Sequence, residues 1–456
     1  MIPVLDSIPT FAMVPIPGTS SGGIGPQGLL RVVLSLGILC GLAWAISSHR
    51  RAFPWRVVLG GLGLQILIAL VLLWIPATSA IFEVFATQVS VAIGMAEKGS
   101  IFLFGELAEP SGPAGFVFAF RVLPVIVYFA AVMAVLYHIG VMPRIIAGMA
   151  WVMRRTLGVS GAEAVTVSAN VLVGQTEAPL CVKPFLAVMT RSQLMVVMAS
   201  GFATIAGSVF AGYVEFLGGD DEARRILFAK HLMTASLMSA PAAFVMAKII
   251  LPETEKEPEE TMAGTVATER PAANAIDAVV LGAGDGLRLA LNVGAMLVAF
   301  IAILALLDWP VAALGDWTPV ASWRAEHGYG PWSIQGGLGI LFQPVAWLIG
   351  APSSDVGVVG RLLATSLIAT EFVAYLDLSS DVAAGVISER GTIVVAYALC
   401  GFANIPSLAI QIGGLGALAP TRRAEISAIA PRALAAGVLA CWCTATVASA
   451  VVGVGG

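Results

Sequence analysis

An all-α integral membrane fold, with about eight transmembrane helices and two re-entrant helical hairpins, is what this sequence predicts. Three observations carry it. The 456 residues are 58% hydrophobic and only 11% charged, with a mean hydropathy of +0.92, whereas an average soluble domain is about a quarter charged. Several stretches run about 20 residues with few or no charges, the length of a helix that crosses a bilayer. Inside some of these stretches the chain carries Gly, Pro and polar side chains in patterns that interrupt a helix. The net charge of −4 supplies no basic footprint for nucleic acid.

The elements follow in order. Residues 1–27 are rich in Pro, Gly and Ser and lack a basic start followed by an apolar core, so they read as a flexible tail and not a signal peptide. Residues 28–48 and 57–75 read as the first two spans. His49, Arg50, Arg51 and Arg56 lie between them, which puts that loop in the cytoplasm and the N-terminus outside. Residues 78–96 are less hydrophobic and are expected along the outer surface. Residues 115–139 form a third span. Residues 142–155 place Arg144, Arg154 and Arg155 on an amphipathic helix suited to the inner interface.

Residues 193–217 and 229–251 read as long apolar helices. The charged segment 253–276 reads as a solvated linker, 277–306 as another long helix, and 307–335, with its Trp, Gly and Pro, as an external loop. Segments 336–350, 355–385, 390–417 and 430–454 are again apolar, while Arg422 and Arg423 belong inside. Both termini then fall outside a cell membrane, which in a bacterium is the inner one. Cys40, Cys181, Cys400, Cys441 and Cys443 lie in apolar stretches without zinc-type spacing and read as core. His49, His138, His231 and His327 fall near predicted span ends and read as interfacial.

Backbone that leaves helical geometry at membrane depth must be buried in protein or line a cavity. The run ANVLVGQTEAPLCVKPFLAVM (169–189) is apolar at both ends and polar in its middle. Gly174 permits a turn there, Thr176 or Glu177 is positioned to cap the next half-helix, and Pro179 suits its first turn. Residues 161–190 therefore read as a hairpin with a polar tip. In SLIATEFVAYLDLSS (366–380), Glu371 stands in an apolar run with Thr370 as its local cap. In CGFANIPSLAIQIGG (400–414), Asn404 is a cap and Pro406 enters the following half. A carboxylate at mid-membrane costs about 3 kcal/mol on insertion scales, which makes Glu177 and Glu371 ligand-contact candidates. Each broken polar segment is followed by two long helices, and an odd number of crossings separates the sets. The two copies are therefore inverted, the layout of a secondary transporter with its site at the repeat interface.

GQTEAPL (174–180), EFVAY (371–375), CGFAN with Ser407 (400–407), GFATIAGSV (201–209) and ALNVGAMLVAF (290–300) resemble, in order and spacing, the signatures of the concentrative nucleoside transporter family over about residues 28 to 454. The resemblance implies a sodium-coupled nucleoside importer with no enzymatic cofactor, a homotrimer in the lipid bilayer working by an elevator-like movement. It implies a scaffold (28–140 and 277–306) and a transport domain of two repeats, 141–252 with hairpin 161–190 and 336–456 with hairpin 355–385. By the same resemblance Gln175, Thr176 and Glu177 face the nucleobase, with Gly174 at the tip, and Val209 and Phe402 contact the base. Glu371, Asn404 and Ser407 hold ribose hydroxyls. Asn170, Val173, Thr204 and Ile205 hold the sodium ion. Three positions depart from the family's pattern. Thr370 replaces an Asn, Ser366 replaces a Lys, and Pro406 replaces a Gly or Ser, so substrate choice stays open between purine and pyrimidine.

The chemistry of these residue types suits such a substrate. A nucleoside wants an apolar or aromatic wall and a few fixed hydrogen-bonding groups. Gln offers a donor and an acceptor to a base edge, and a carboxylate accepts from neighbouring hydroxyls. Two other readings compete. In the first, proton coupling, a buried carboxylate carries the proton; Asn170 and Thr204 favour sodium instead. In the second, an intramembrane aspartyl protease, GAGD (282–285) is the motif, but that chemistry needs a facing second aspartate. Asp285 is expected near the start of its helix as a solvated or capping group.

Overall fold

The computed structural model describes residues 26–109, 117–256, 258–263, 272–316, 321 and 332–452. The predicted tail lies outside them except for its last two residues. Helix α1 (Pro26–Ala45) and α2 (Trp55–Leu73) match the first two predicted spans. The third helix differs from expectation. Residues 78–96 belong to α3 (Pro76–Phe104), a single 29-residue helix packed against α2 and the later helices α4 (Phe118–His138) and α9 (Glu222–Ile250). It is long and apolar enough to cross a membrane. Pro76 in its first turn fits a position whose N–H has no helical partner. The amphipathic α5 (Val141–Leu157) follows, as predicted, and ends at Gly158 in left-handed conformation.

The first hairpin is α6 (Gly161–Asn170), a tip, and a 3-10 segment, Ala178–Phe185. Ser160 and Glu163 form a reciprocal capping box at the start of α6, which satisfies two otherwise orphaned N–H groups. The returning limb departs from the sequence reading, because neither Thr176 nor Glu177 caps it. Pro179 sits in the first turn, where its missing N–H costs nothing, but Pro184 lies inside the limb and removes a donor there, and Val182 is non-helical.

The predicted long helix 193–217 is also two helices, α7 (Arg191–Ala203) and α8 (Gly207–Gly218), separated at Thr204–Ala206. The extended Thr204 and Gly207, whose N–H donates to Leu172 O at 3.0 Å, tie this break to the hairpin tip. After α9, the linker holds a short helix, α10 (Glu259–Ala263). It is not simply solvated: Thr261 is fully buried and accepts from Gln193 Nε2 at 3.1 Å.

Helix α11 (Ala275–Asp316) runs 42 residues, so residues 307–316 of the predicted external loop are helical and most of the remainder lies outside the described residues. Asp285 sits well inside α11, exposed and 3.7 Å from Arg288, neither near the helix start nor a cap. Its neighbours explain the motif. A Cβ at Gly282 would lie 2.8 Å from Ala130 O, and one at Gly286 2.8 Å from Val127 Cα. Gly282 and Gly286 are a small-xxx-small pair that lets α11 press on α4.

The second set comprises α12 (Ile334–Leu348), α13 (Val356–Ile368), α14 (Glu371–Ala383), α15 (Glu389–Ala398), α16 (Ile405–Leu418) and α17 (Arg423–Val451). Here the sequence logic holds residue for residue. Thr370 caps α14 by accepting from Val373 N, and Asn404 caps α16 by accepting from Ser407 N at 2.8 Å. Pro406 falls in the first turn of α16, where its missing donor costs nothing. Helix α17 packs on α7, α9, α15 and α16, so the two sets interlock. Seven helices among the described residues are long and apolar enough to span a membrane, with shorter apolar helices beside them. The chain is an all-α, multi-pass membrane protein. Cys181, Cys400, Cys441 and Cys443 are buried free thiols and Cys40 is half-buried. His231 contradicts its interfacial reading. It is buried in α9 with Nδ1 3.1 Å from Tyr397 Oη, while His327 lies outside the described residues.

Candidate substrate and ion site

Glu371 opens α14 and is 2% exposed. Its Oε1 accepts from Tyr213 Oη at 2.9 Å and its Oε2 from Asn404 Nδ2 at 2.5 Å. A carboxylate has about four lone-pair sites, so each oxygen keeps capacity for a further donor. Asn404 is held in turn by its cap to Ser407 N. Tyr213 stacks on Tyr375 with ring centroids 4.5 Å apart, which fixes its hydroxyl. Tyr213 was not foreseen. It stands four residues after Val209 on α8, hence on the same face, and that register was the available signal.

The tip of the first hairpin reaches the same neighbourhood. Gly174 has φ +142°, a conformation L side chains rarely adopt. A Cβ there would meet Glu177 Oε2 at 2.8 Å and Ala206 Cβ at 2.9 Å, so the Glu177 carboxylate folds back over Gly174. Gln175 Oε1 accepts from Gln411 Nε2 at 3.2 Å. Thr176 and Glu177 are exposed on the single chain, and Thr176 Cγ2 faces Gly414. Gln411 is four residues beyond Ser407 on α16, one turn along one face, about 6 Å up the axis. One helix face thus carries partners of both hairpins: Asn404, at its N-cap, for Glu371 and Gln411 for Gln175. Val209 is buried on α8, and Phe402, half-buried, donates its N–H to Thr204 O at 3.4 Å.

Two of the predicted ion ligands, Asn170 and Thr204, share Ser200 as a partner. Asn170 is fully buried at the end of α6. Its Nδ2 donates to Ser200 Oγ at 2.8 Å, while its Oδ1 has no hydrogen-bond partner. A buried acceptor left unpaired costs about 1–3 kcal/mol, which a hard cation would offset. Thr204 donates its hydroxyl to Ser200 O at 2.9 Å, and a hydroxyl that donates still has lone pairs with which to accept. Val173 lies in the tip, hydrogen-bonded back to Ala169 O, and Ile205 is buried in the α7–α8 break. This neutral-oxygen set fits sodium, which takes carbonyl, amide and hydroxyl oxygens at unwound helix ends.

Two hairpins, each followed by a broken helix and a long one, with polar breaks meeting across the bundle, define an inverted-repeat secondary transporter. Comparison with known proteins narrows that class. Three family profiles tile the chain: Na+ dependent nucleoside transporter N-terminus over residues 34–107, nucleoside recognition over 119–220, and Na+ dependent nucleoside transporter C-terminus over 231–449. An uncharacterized transporter of Haemophilus influenzae is 38% identical over 437 residues, covering 94% of this chain and 99% of its own. Sodium/nucleoside cotransporter 1 of Mus musculus is 38% identical over 420 residues, 89% of this chain and 61% of the longer mouse chain. Among solved structures, CNTnw in an inward-facing substrate-bound state has a TM-score of 0.83 at 36% identity, covering 93% of this chain and 98% of that one. A doubly substituted CNTnw in an outward-facing state has a TM-score of 0.85 at 35% identity, with the same coverage of 93% and 98%. The chain belongs to the sodium-dependent nucleoside transporter family. It is a transporter and not an enzyme, and it works by alternating access.

Proposed function

We propose that this protein imports nucleosides by sodium symport through an elevator-like movement, with the two hairpin sets as the moving domain and residues 28–140 and 277–306 as a trimeric scaffold. Glu371, Asn404 and Ser407 hold the ribose hydroxyls. Gln175, Thr176 and Glu177 read the base edge, and Val209 and Phe402 form its apolar wall. Asn170, Val173, Thr204 and Ile205 hold sodium. Both termini lie outside. The observation that carries the reading is the single face of α16 that partners Glu371 through Asn404 and Gln175 through Gln411. Coupling follows from shared structure. The tip that presents Gln175 also contains Val173 and is tied through Leu172 O to Gly207, so an ion that orders the tip favours substrate, and substrate favours the ion equally.

The test is uridine or adenosine uptake into proteoliposomes at fixed pH, which is expected to require an inward sodium gradient. Equal uptake driven by a pH gradient in sodium-free buffer would point to proton symport instead.

A further inference from the structure

Gln411 was not singled out by the sequence, yet it is 2% exposed and touches two acceptors. Its Nε2 lies 3.2 Å from Met198 O and 3.2 Å from Gln175 Oε1. A backbone carbonyl can only accept, so the Gln411 atom facing it must be the amide nitrogen. That nitrogen's second hydrogen then faces Gln175, and the atom receiving it must be the Gln175 oxygen. The orientation of both amides is thus dictated by one helix carbonyl. Gln411 Oε1 is left buried without a hydrogen-bond partner. Reversing the amide to pair it would set oxygen against Met198 O.

From this chain of polarity we infer that Gln411 is a positioning residue for substrate selection: it holds Gln175 Oε1 and so commits Gln175 to present its amide NH2 to the nucleobase as a donor. The site therefore selects bases with an acceptor at that edge. Gly201 on α7 makes the arrangement possible, because a Cβ there would run into Gln411 Nε2 and come within 2.9 Å of Gln175 Cβ. The inference rests on the proposed contact between Gln175 and the base.

The experiment measures KM and Vmax in proteoliposomes for adenosine and its 1-, 3- and 7-deaza analogues, each lacking one ring acceptor, and for uridine and its 4-deoxy analogue. Wild type is expected to show a KM raised about tenfold for the analogue missing the acceptor that Gln175 meets, the effect of leaving a buried donor unpaired. Gln411→Met keeps size but removes the amide, so Gln175 is free to turn. Discrimination against that analogue should then fall to within about threefold, with Vmax for the parent nucleoside little changed. Gly201→Ala disturbs the same pair from another helix and should relax the same discrimination. Equal KM values across the series in wild type would overturn the inference, as would a Gln411→Met variant that loses Vmax but keeps the wild-type pattern. Gln175→Ala separates the two levels. If it leaves every KM unchanged, the base contact itself is wrong. If it abolishes discrimination while Gln411→Met retains it, the contact stands and only the relay fails.

Discussion

Glu371 shows how much a single side chain can reveal in a membrane sequence. A carboxylate in an apolar run is expensive in lipid, and the fold answers that cost with two donors, Tyr213 and Asn404. Replacing it by Gln exchanges a two-oxygen acceptor for a group with one oxygen and an NH2 facing Tyr213 and Asn404, which already donate. Glu371→Gln is expected to lower uptake by about a hundredfold or more, and Ser366→Ala by less than about threefold, since the latter removes one neutral hydroxyl. Near-normal initial rates for Glu371→Gln in a vesicle uptake assay would remove Glu371 from the sugar site. Asn170 makes a companion case. Asn170→Ala should raise the sodium concentration for half-maximal uptake by about tenfold while leaving the uptake rate at saturating sodium within about threefold. An unchanged sodium dependence would exclude its Oδ1 as a ligand.

The breaks are the informative elements, and their legibility was uneven. The breaks before α14 and α16 could be read because Thr370 and Asn404 announce them as caps and Pro406 falls in the first turn of α16. The break between α7 and α8 has no such punctuation: Thr204, Ile205 and Ala206 are apolar or small, and Gly207 alone is weak. A signal existed at longer range, since GFATI at 201–205 recurs as GFANI at 401–405, placing both breaks at equivalent points of the two repeats. In the first hairpin the turn at Gly174 was evident but the nature of the returning limb was not: it is a 3-10 segment with Pro184 inside it and a non-helical Val182. Gly174→Ala introduces a methyl at φ +142° against Glu177 and Ala206. It should weaken sodium-dependent uptake by about tenfold or more, through strain of roughly 1–3 kcal/mol at the tip. Unimpaired uptake by this variant would show that the tip relaxes without consequence.

Across the whole molecule, one ionic network ties the first helices to the first repeat. Arg121 on α4 pairs with Glu215 on α8 at 2.8 Å and with Asp220 at 2.7 Å, while Arg225 on α9 pairs with Glu97 on α3 at 2.6 Å and with Glu215 at 3.2 Å. Glu215 is 1% exposed and lies between the two guanidiniums, whereas the Asp220 side chain is 59% exposed. Removing one partner of a buried pair costs about 3–5 kcal/mol, because the other charge stays behind. Glu215→Ala should therefore depress the thermal unfolding midpoint in detergent well beyond the effect of Asp220→Ala, because Asp220 is itself solvent-screened and its loss leaves Arg121 paired with Glu215. Equal shifts for the two variants would contradict the central place given to Glu215.

The sequence by itself determined the membrane class, the helix breaks marked by a cap at Thr370 and Asn404, and the polar residues set against the cost of burial. All of these depend on composition and on neighbours within a few positions, which one chain displays directly. Tertiary structure alone decided who partners whom. Tyr213 meets Glu371 across 158 residues and Gln411 meets Gln175 across 236. No local pattern encodes such pairs, because a buried amide or hydroxyl finds its partner only once distant helices have packed to within hydrogen-bond reach.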